Sequence, residues 1–137
     1  MDRKDFRKLA RLRFREAKNL LENGHYEGAY YLCGYAVECA LKACIAKQTR
    51  KHEFPDKNKV SSSHTHNLGV LVKLAGLESE RNTKADADES FNANWSLVDS
   101  WNESSRYGFP AEKEARDLCK AAGNSKNGVL KWISQHW

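Results

Sequence analysis

Glu38 and Lys42 stand four residues apart in a segment, HYEGAYYLCGYAVECALKACIAKQ, where small and apolar side chains otherwise dominate. That spacing sets an acid and a base on one face of a helix, where they can pair. The plain reading is an i, i+4 salt bridge at the margin of a core. The chemical reading is that an acid in so apolar a helix is buried, and a buried carboxylate needs cations or donors around it. Arg13 and Arg106 are candidate partners from elsewhere in the chain. Burial with a specific partner would mark a site.

His66 and Arg106 each lie where a loop meets a helix. His66 has the chemistry of a general base or a nucleotide contact; alternatively it hydrogen-bonds locally at a helix start. Arg106 could grip a phosphate with its forked donors, or bind helix C-terminal carbonyls. His64-Thr65-His66 makes a weak case for metal. Residues two apart share a direction only in extended chain, and zinc takes three or four ligands. Neither G-x-x-x-x-G-K-[ST] nor G-x-S-x-G occurs, so no phosphate loop or nucleophile elbow is expected. Cys119 falls at helical spacing among apolar residues and reads as core rather than nucleophile.

The elements that must position these residues follow from periodicity. Asp2 to Leu21 reads as a helix with Phe6, Leu9, Ala10, Ala17, Leu20 and Leu21 inward, and Arg3, Arg7, Arg11 and Arg15 as a ridge on another face. Asn23-Gly24 is a C-cap signal. His25 to Gln48 is apolar nearly all round, as in a helix buried on most sides. Residues 50–65, with Pro55 and a serine run, form a long polar connection. A short helix is predicted over His66 to Ala75, with Thr65 as N-cap and Gly76 closing it. A fourth helix is predicted over Ala85 to Glu103, with Phe91, Trp95 and Val98 inward. The Ser104–Pro110 turn follows, then a fifth helix over Ala111 to Gln135 that Gly123-Asn124 interrupts or kinks. No strand pattern or repeat stands out. The expected fold is a single all-α domain over residues 1–137, an up-and-down bundle of four to five helices.

At 137 residues the chain is one domain's worth. Four Trp, five Tyr and five Phe argue against a disordered chain. No apolar run reaches the roughly 18 residues of a membrane span. The charged start Met1-Asp2-Arg3-Lys4-Asp5 predicts no secretory signal. Cys33, Cys39, Cys44 and Cys119 lack C-x-x-C spacing and read as reduced, buried thiols of a cytoplasmic protein. Residues 1–18 hold eight Lys/Arg against three acids, an excess equal to the whole net charge of +5. A basic helix could track phosphates, although a charge run is also simply a solvated face. The exposed part of the set Trp95, Trp101, Trp132 and Trp137 could instead form a protein contact surface.

In order and spacing, Asn23-Gly24, Tyr26-x-x-Ala29-Tyr30, the run Ala36 to Ala43, His66-Asn67-Leu68-x-x-Leu71 and Ser105-Arg106-Tyr107 together resemble the HEPN domain family, over residues 5–135. The resemblance implies a homodimeric bundle of four or five helices. It also implies a prokaryotic toxin–antitoxin-like setting, often beside a minimal nucleotidyltransferase. Many relatives are metal-independent ribonucleases with an Arg and a His separated by four to six residues. Here Arg15 to His25 leaves nine residues between and Arg50 to His52 leaves one. The ribonuclease motif is absent.

The expectation is therefore a non-catalytic module that binds a nucleotide or a nucleotidyltransferase partner. Lys42, His66 and Arg106 would face the anion, and Glu38 and Tyr107 would support them. No cofactor, metal or membrane is expected. The alternatives are a metal-independent ribonuclease acting on RNA through His66 and Arg106, and a plain interaction scaffold.

Overall fold

The computed structural model describes residues 1–49 and 61–137. The expected 50–65 connection thus lies mostly outside the described residues. What is described is helical throughout: α1 (Arg3–Glu22), α2 (Tyr26–Gln48), α3 (Leu68–Leu74), α4 (Glu78–Ala87), α5 (Glu89–Asp99), a 3-10 turn (Glu103–Tyr107), α6 (Glu112–Gly123) and α7 (Val129–Ser134). The all-α bundle expected from the sequence is the fold.

Asp2 starts α1 by accepting from the Asp5 amide at 2.9 Å, and Asp5 accepts in return from the Asp2 amide at 3.1 Å. This reciprocal box satisfies two of the free amides that every helix start leaves. At the other end Gly24 adopts φ +79°, and the His25 amide reaches back to the Leu20 carbonyl at 2.9 Å. Glycine takes that left-handed conformation without a Cβ penalty. The chain thereby reverses within three residues, and α1 and α2 pair as a hairpin. Gly76, φ +72°, closes α3 in the same way, with the Leu77 amide on the Val72 carbonyl at 3.0 Å.

α2 is the axis of the bundle. Twelve of its residues are buried, Ala29, Cys33, Gly34 and Ala36 through Leu41 among them. It packs on α1, α3, the 3-10 turn, α6 and α7. Phe91, Trp95 and Val98 of α5 are buried as expected, and Phe91 and Trp95 meet the Trp132 ring edge-on at 5.3 and 6.5 Å.

Three boundaries differ from the sequence reading. α3 begins at Leu68 rather than His66. Its N-cap is Asn67, whose side chain accepts from the Val70 amide at 3.0 Å, while Thr65 accepts from the Asn67 amide at 3.1 Å. The polar stretch after Gly76 is itself a helix, α4, none of whose residues is buried. Asp88 ends it and caps α5, accepting from the Phe91 amide at 3.0 Å. α5 stops at Asp99, short of Glu103. The fifth helix is interrupted at Gly123-Asn124, as the sequence allowed, into α6 and α7, because the Asn124 side chain accepts from the Lys126 and Asn127 amides at 2.9 and 3.1 Å. A carbonyl that bonds local amides in this way diverts the backbone from the helix.

All four cysteines are free and buried. Burial pushes the Cys39 and Cys44 thiols up to about 11, with the Glu38 charge adding to the effect at Cys39. Cys33 hydrogen-bonds Cys119, an interaction that raises Cys33 and lowers Cys119, where Lys18 adds a smaller favourable charge. The thiolate is the nucleophile. Native protein at pH 8 is therefore expected to take up iodoacetamide slowly and first at Cys119. Peptide mass mapping after brief exposure would read the order, and early labelling at Cys39 or Cys44 would contradict the packing.

Candidate functional site

Glu38 is the only buried charged residue among those described, at 1% exposure. Its two carboxylate oxygens are divided between partners from two elements. Lys42, one turn further along α2, brings Nζ to 3.2 Å of Oε2. His66, just ahead of α3, brings Nδ1 to 2.9 Å of Oε1. The other face of the same ring approaches the 3-10 turn, with Nε2 3.1 Å from Oε2 of Glu103. The result is a chain of four ionisable groups, Lys42–Glu38–His66–Glu103, that starts inside the bundle and ends in solvent.

Each ring nitrogen of His66 faces a carboxylate oxygen. A neutral imidazole carries one N–H and can donate to one of them; the imidazolium donates to both. Glu38 is buried, so its pairing is little screened, while Glu103 is about half exposed and holds His66 weakly by comparison. Burial raises the Tyr35 hydroxyl above its ordinary range, with Cys39 and then the Glu38 charge adding to the effect.

Trp101 sets the height of the turn. It lies just past the end of α5, 3% exposed, tilted against Tyr31 at 6.1 Å. Tyr31 in turn stacks on Tyr35 at 6.1 Å. The indole rests directly on the backbone of α2 at Gly34, where a Cβ would come within 2.2 Å of the ring. Asn102 then opens the turn, its Oδ1 accepting from the Ser104 amide at 2.9 Å. Glu103 is thereby carried to His66.

The expected residues divide as follows. Glu38, Lys42 and His66 come together. The expected helical pair Glu38–Lys42 forms, but the second partner of Glu38 is His66. Arg13, offered as that partner, binds Glu16 instead at 2.5 Å, since both lie on α1. The His66 ring reaches not to its own helix start but to Glu38 and Glu103, both distant in sequence. The backbone of Arg106 lies in the 3-10 turn, and its side chain is outside the described residues. Tyr107, in the same turn, is 75% exposed. Glu103 was not anticipated, because an acid in a polar stretch gives no sequence signal. Among the described residues no group of three or more His, Cys, Asp and Glu could hold a metal ion, and no helix is long and apolar enough to cross a membrane.

Comparison with curated proteins and with solved structures finds no match. A family model, that of the HEPN domain, matches residues 4–136. The match takes in every element of the bundle, the Glu38–His66 pairing and the turn above it, and the chain belongs to the HEPN domain family.

Proposed function

We propose that this HEPN domain is a non-catalytic binding module whose site takes a phosphate-bearing nucleotide where α2, α3 and the 3-10 turn meet. Lys42, His66 and Arg106 face the anion; Glu38 orients the first two, and Tyr107 flanks them. The observation that carries this reading is the buried Glu38 carboxylate, which holds Lys42 and His66 side by side beneath the turn bearing Arg106. A carboxylate so placed fixes the direction of an ammonium and an imidazole, and preorganised donors lose little freedom when an anion arrives. The family setting supplies the rest of the reading: a cytoplasmic homodimer in a toxin–antitoxin-like module, with a minimal nucleotidyltransferase as its protein partner.

An entering phosphate competes with Glu103 for His66 Nε2. Titration calorimetry with ATP, GTP and AMP is expected to show saturable binding that Arg106→Ala abolishes while its thermal transition persists. Glu103→Gln is expected to tighten binding by about 1 kcal/mol, since it removes a rival anion held by a half-exposed pair. Absence of heat from all three nucleotides would leave the nucleotidyltransferase as the partner to test by pull-down.

A second reading rests on His66. One ring nitrogen is anchored by a buried carboxylate and the other meets the half-exposed Glu103 at the rim, an arrangement that suits a general base once Glu103 gives way to substrate. Cleavage of a mixed RNA substrate that survives EDTA and disappears in His66→Ala would favour a ribonuclease over a binding module.

A further inference from the structure

On another side of the bundle, α1, α6 and the residues after α6 enclose two adjoining hollows of about 310 and 230 Å³. They share Phe14, Gly123 and Asn124 and so form one groove, which has no residue in common with the Glu38 site. Its floor is apolar: Phe14 between the two hollows, Leu21 and Cys119 in one, Leu130 and Trp137 in the other. Its rim is basic. Lys18, Arg116 and Lys120 border the first hollow and Arg11 and Lys131 the second, and no Asp or Glu lines either. All five cations are exposed. Arg116 already pairs with Glu112 at 2.9 Å, whereas Lys18 and Lys120 pair with no carboxylate among the described residues.

Two observations narrow the occupant. A single nucleic-acid strand on a basic groove needs aromatic faces to stack its bases. Those faces are covered here. Arg7 and Arg11 lie over the Trp137 ring at 5.6 and 4.9 Å. Lys18 lies over Phe14 at 5.9 Å, and the Phe14 ring edge sits where Gly123 would carry a Cβ, 2.2 Å away. The backbone of the groove is spent as well. Its walls are helices, the Asn124 carbonyl accepts from the Gly128 amide, and the Ser125 carbonyl accepts from Lys131 Nζ. A peptide entering an apolar groove without free backbone partners must satisfy its own amides and carbonyls, and a helix does so.

We propose that this groove docks an acidic amphipathic helix of another protein, with apolar side chains entering the two hollows and carboxylates meeting the five-cation rim. The inference stands apart from the nucleotide reading and survives its failure.

The test is fluorescence anisotropy with a labelled peptide carrying Leu at i, i+3, i+4 and i+7 and Glu elsewhere, beside a scrambled peptide of the same composition. The patterned peptide is expected to bind saturably and at least tenfold more tightly than the scrambled one. The exposed double variant Lys18→Glu/Lys120→Glu, checked for its fold by circular dichroism, is expected to lose roughly tenfold or more in affinity. Bound peptide should also slow alkylation of Cys119 in the groove wall. Equal binding of the two peptides would reveal mere charge attraction and overturn the proposal. So would an unchanged affinity in the folded double variant, no binding at all, or displacement of the peptide by a uridine oligonucleotide at lower concentration.

Discussion

Glu38→Ala is expected to destabilise the protein by about 3 kcal/mol, read as a lowered urea midpoint at unchanged slope. Removing one member of a buried ion pair leaves the other without compensation. Here two partners are stranded, Lys42 at 16% side-chain exposure and His66 at 44%. Lys42 is the more enclosed and accounts for most of the loss; His66 can turn to water, which holds the figure at the lower end of the range for buried pairs. Glu38→Gln should cost less, because the amide oxygen still accepts from His66. Lys42→Met tests the assignment from the other side: combined with Glu38→Gln, it should cost less than the two separate losses together. A neutral Glu38→Ala would mean that the carboxylate contributes nothing net, and the site would lose its organising group.

Gly34→Ala is expected to cost about 2 kcal/mol although the same change stabilises an ordinary helix interior by about 1 kcal/mol. The reversal of sign comes from Trp101. The new Cβ would stand 2.2 Å from the indole, nearer than any side chain tolerates, so the ring must leave its seat. Because Trp101 lies just ahead of the 3-10 turn, its displacement also shifts the backbone that carries Arg106, a loss to the anion that outweighs freeing His66 from Glu103. The variant should show red-shifted tryptophan emission and weakened nucleotide binding together with a lower Tm. Trp101→Ala, which removes a large buried ring, is expected to cost about 3 kcal/mol or more by itself. The double variant should recover part of the loss, since the clash no longer exists. A more stable Gly34→Ala protein would contradict the seating of Trp101.

These two sites also show what the sequence carried. Glu38 was legible because it interrupts an apolar run, and its helical neighbour Lys42 followed from spacing alone. Gly24 and Gly76 marked helix ends because their chemistry is local. His66 as the second partner was not legible: pairing across 28 residues depends on how α3 docks, and no local pattern encodes that. The α4 helix was missed since a helix without buried residues has no apolar stripe to read. Asn124 gave an ambiguous signal, as its side chain could either continue or divert the chain; only the amides it binds decide between them. Gly34 looked like one small residue among many until Trp101 occupied the space it leaves.

The three-residue reversal at Gly24 has a kinetic consequence. α1 and α2 contact one another across a short stretch of chain, so their hairpin is quick to close. It already contains Glu38 and Lys42, but not His66, which stands 28 residues from Glu38 and arrives only when α3 docks. Glu38 is therefore expected to stay hydrated until α3 docks. Contacts made after the rate-limiting barrier change the escape rate from the native state rather than the rate of reaching it. Substitutions at Glu38 should accordingly appear in the unfolding arm of a chevron plot, and those in the α1–α2 seam, such as Ala17 against α2, in the folding arm.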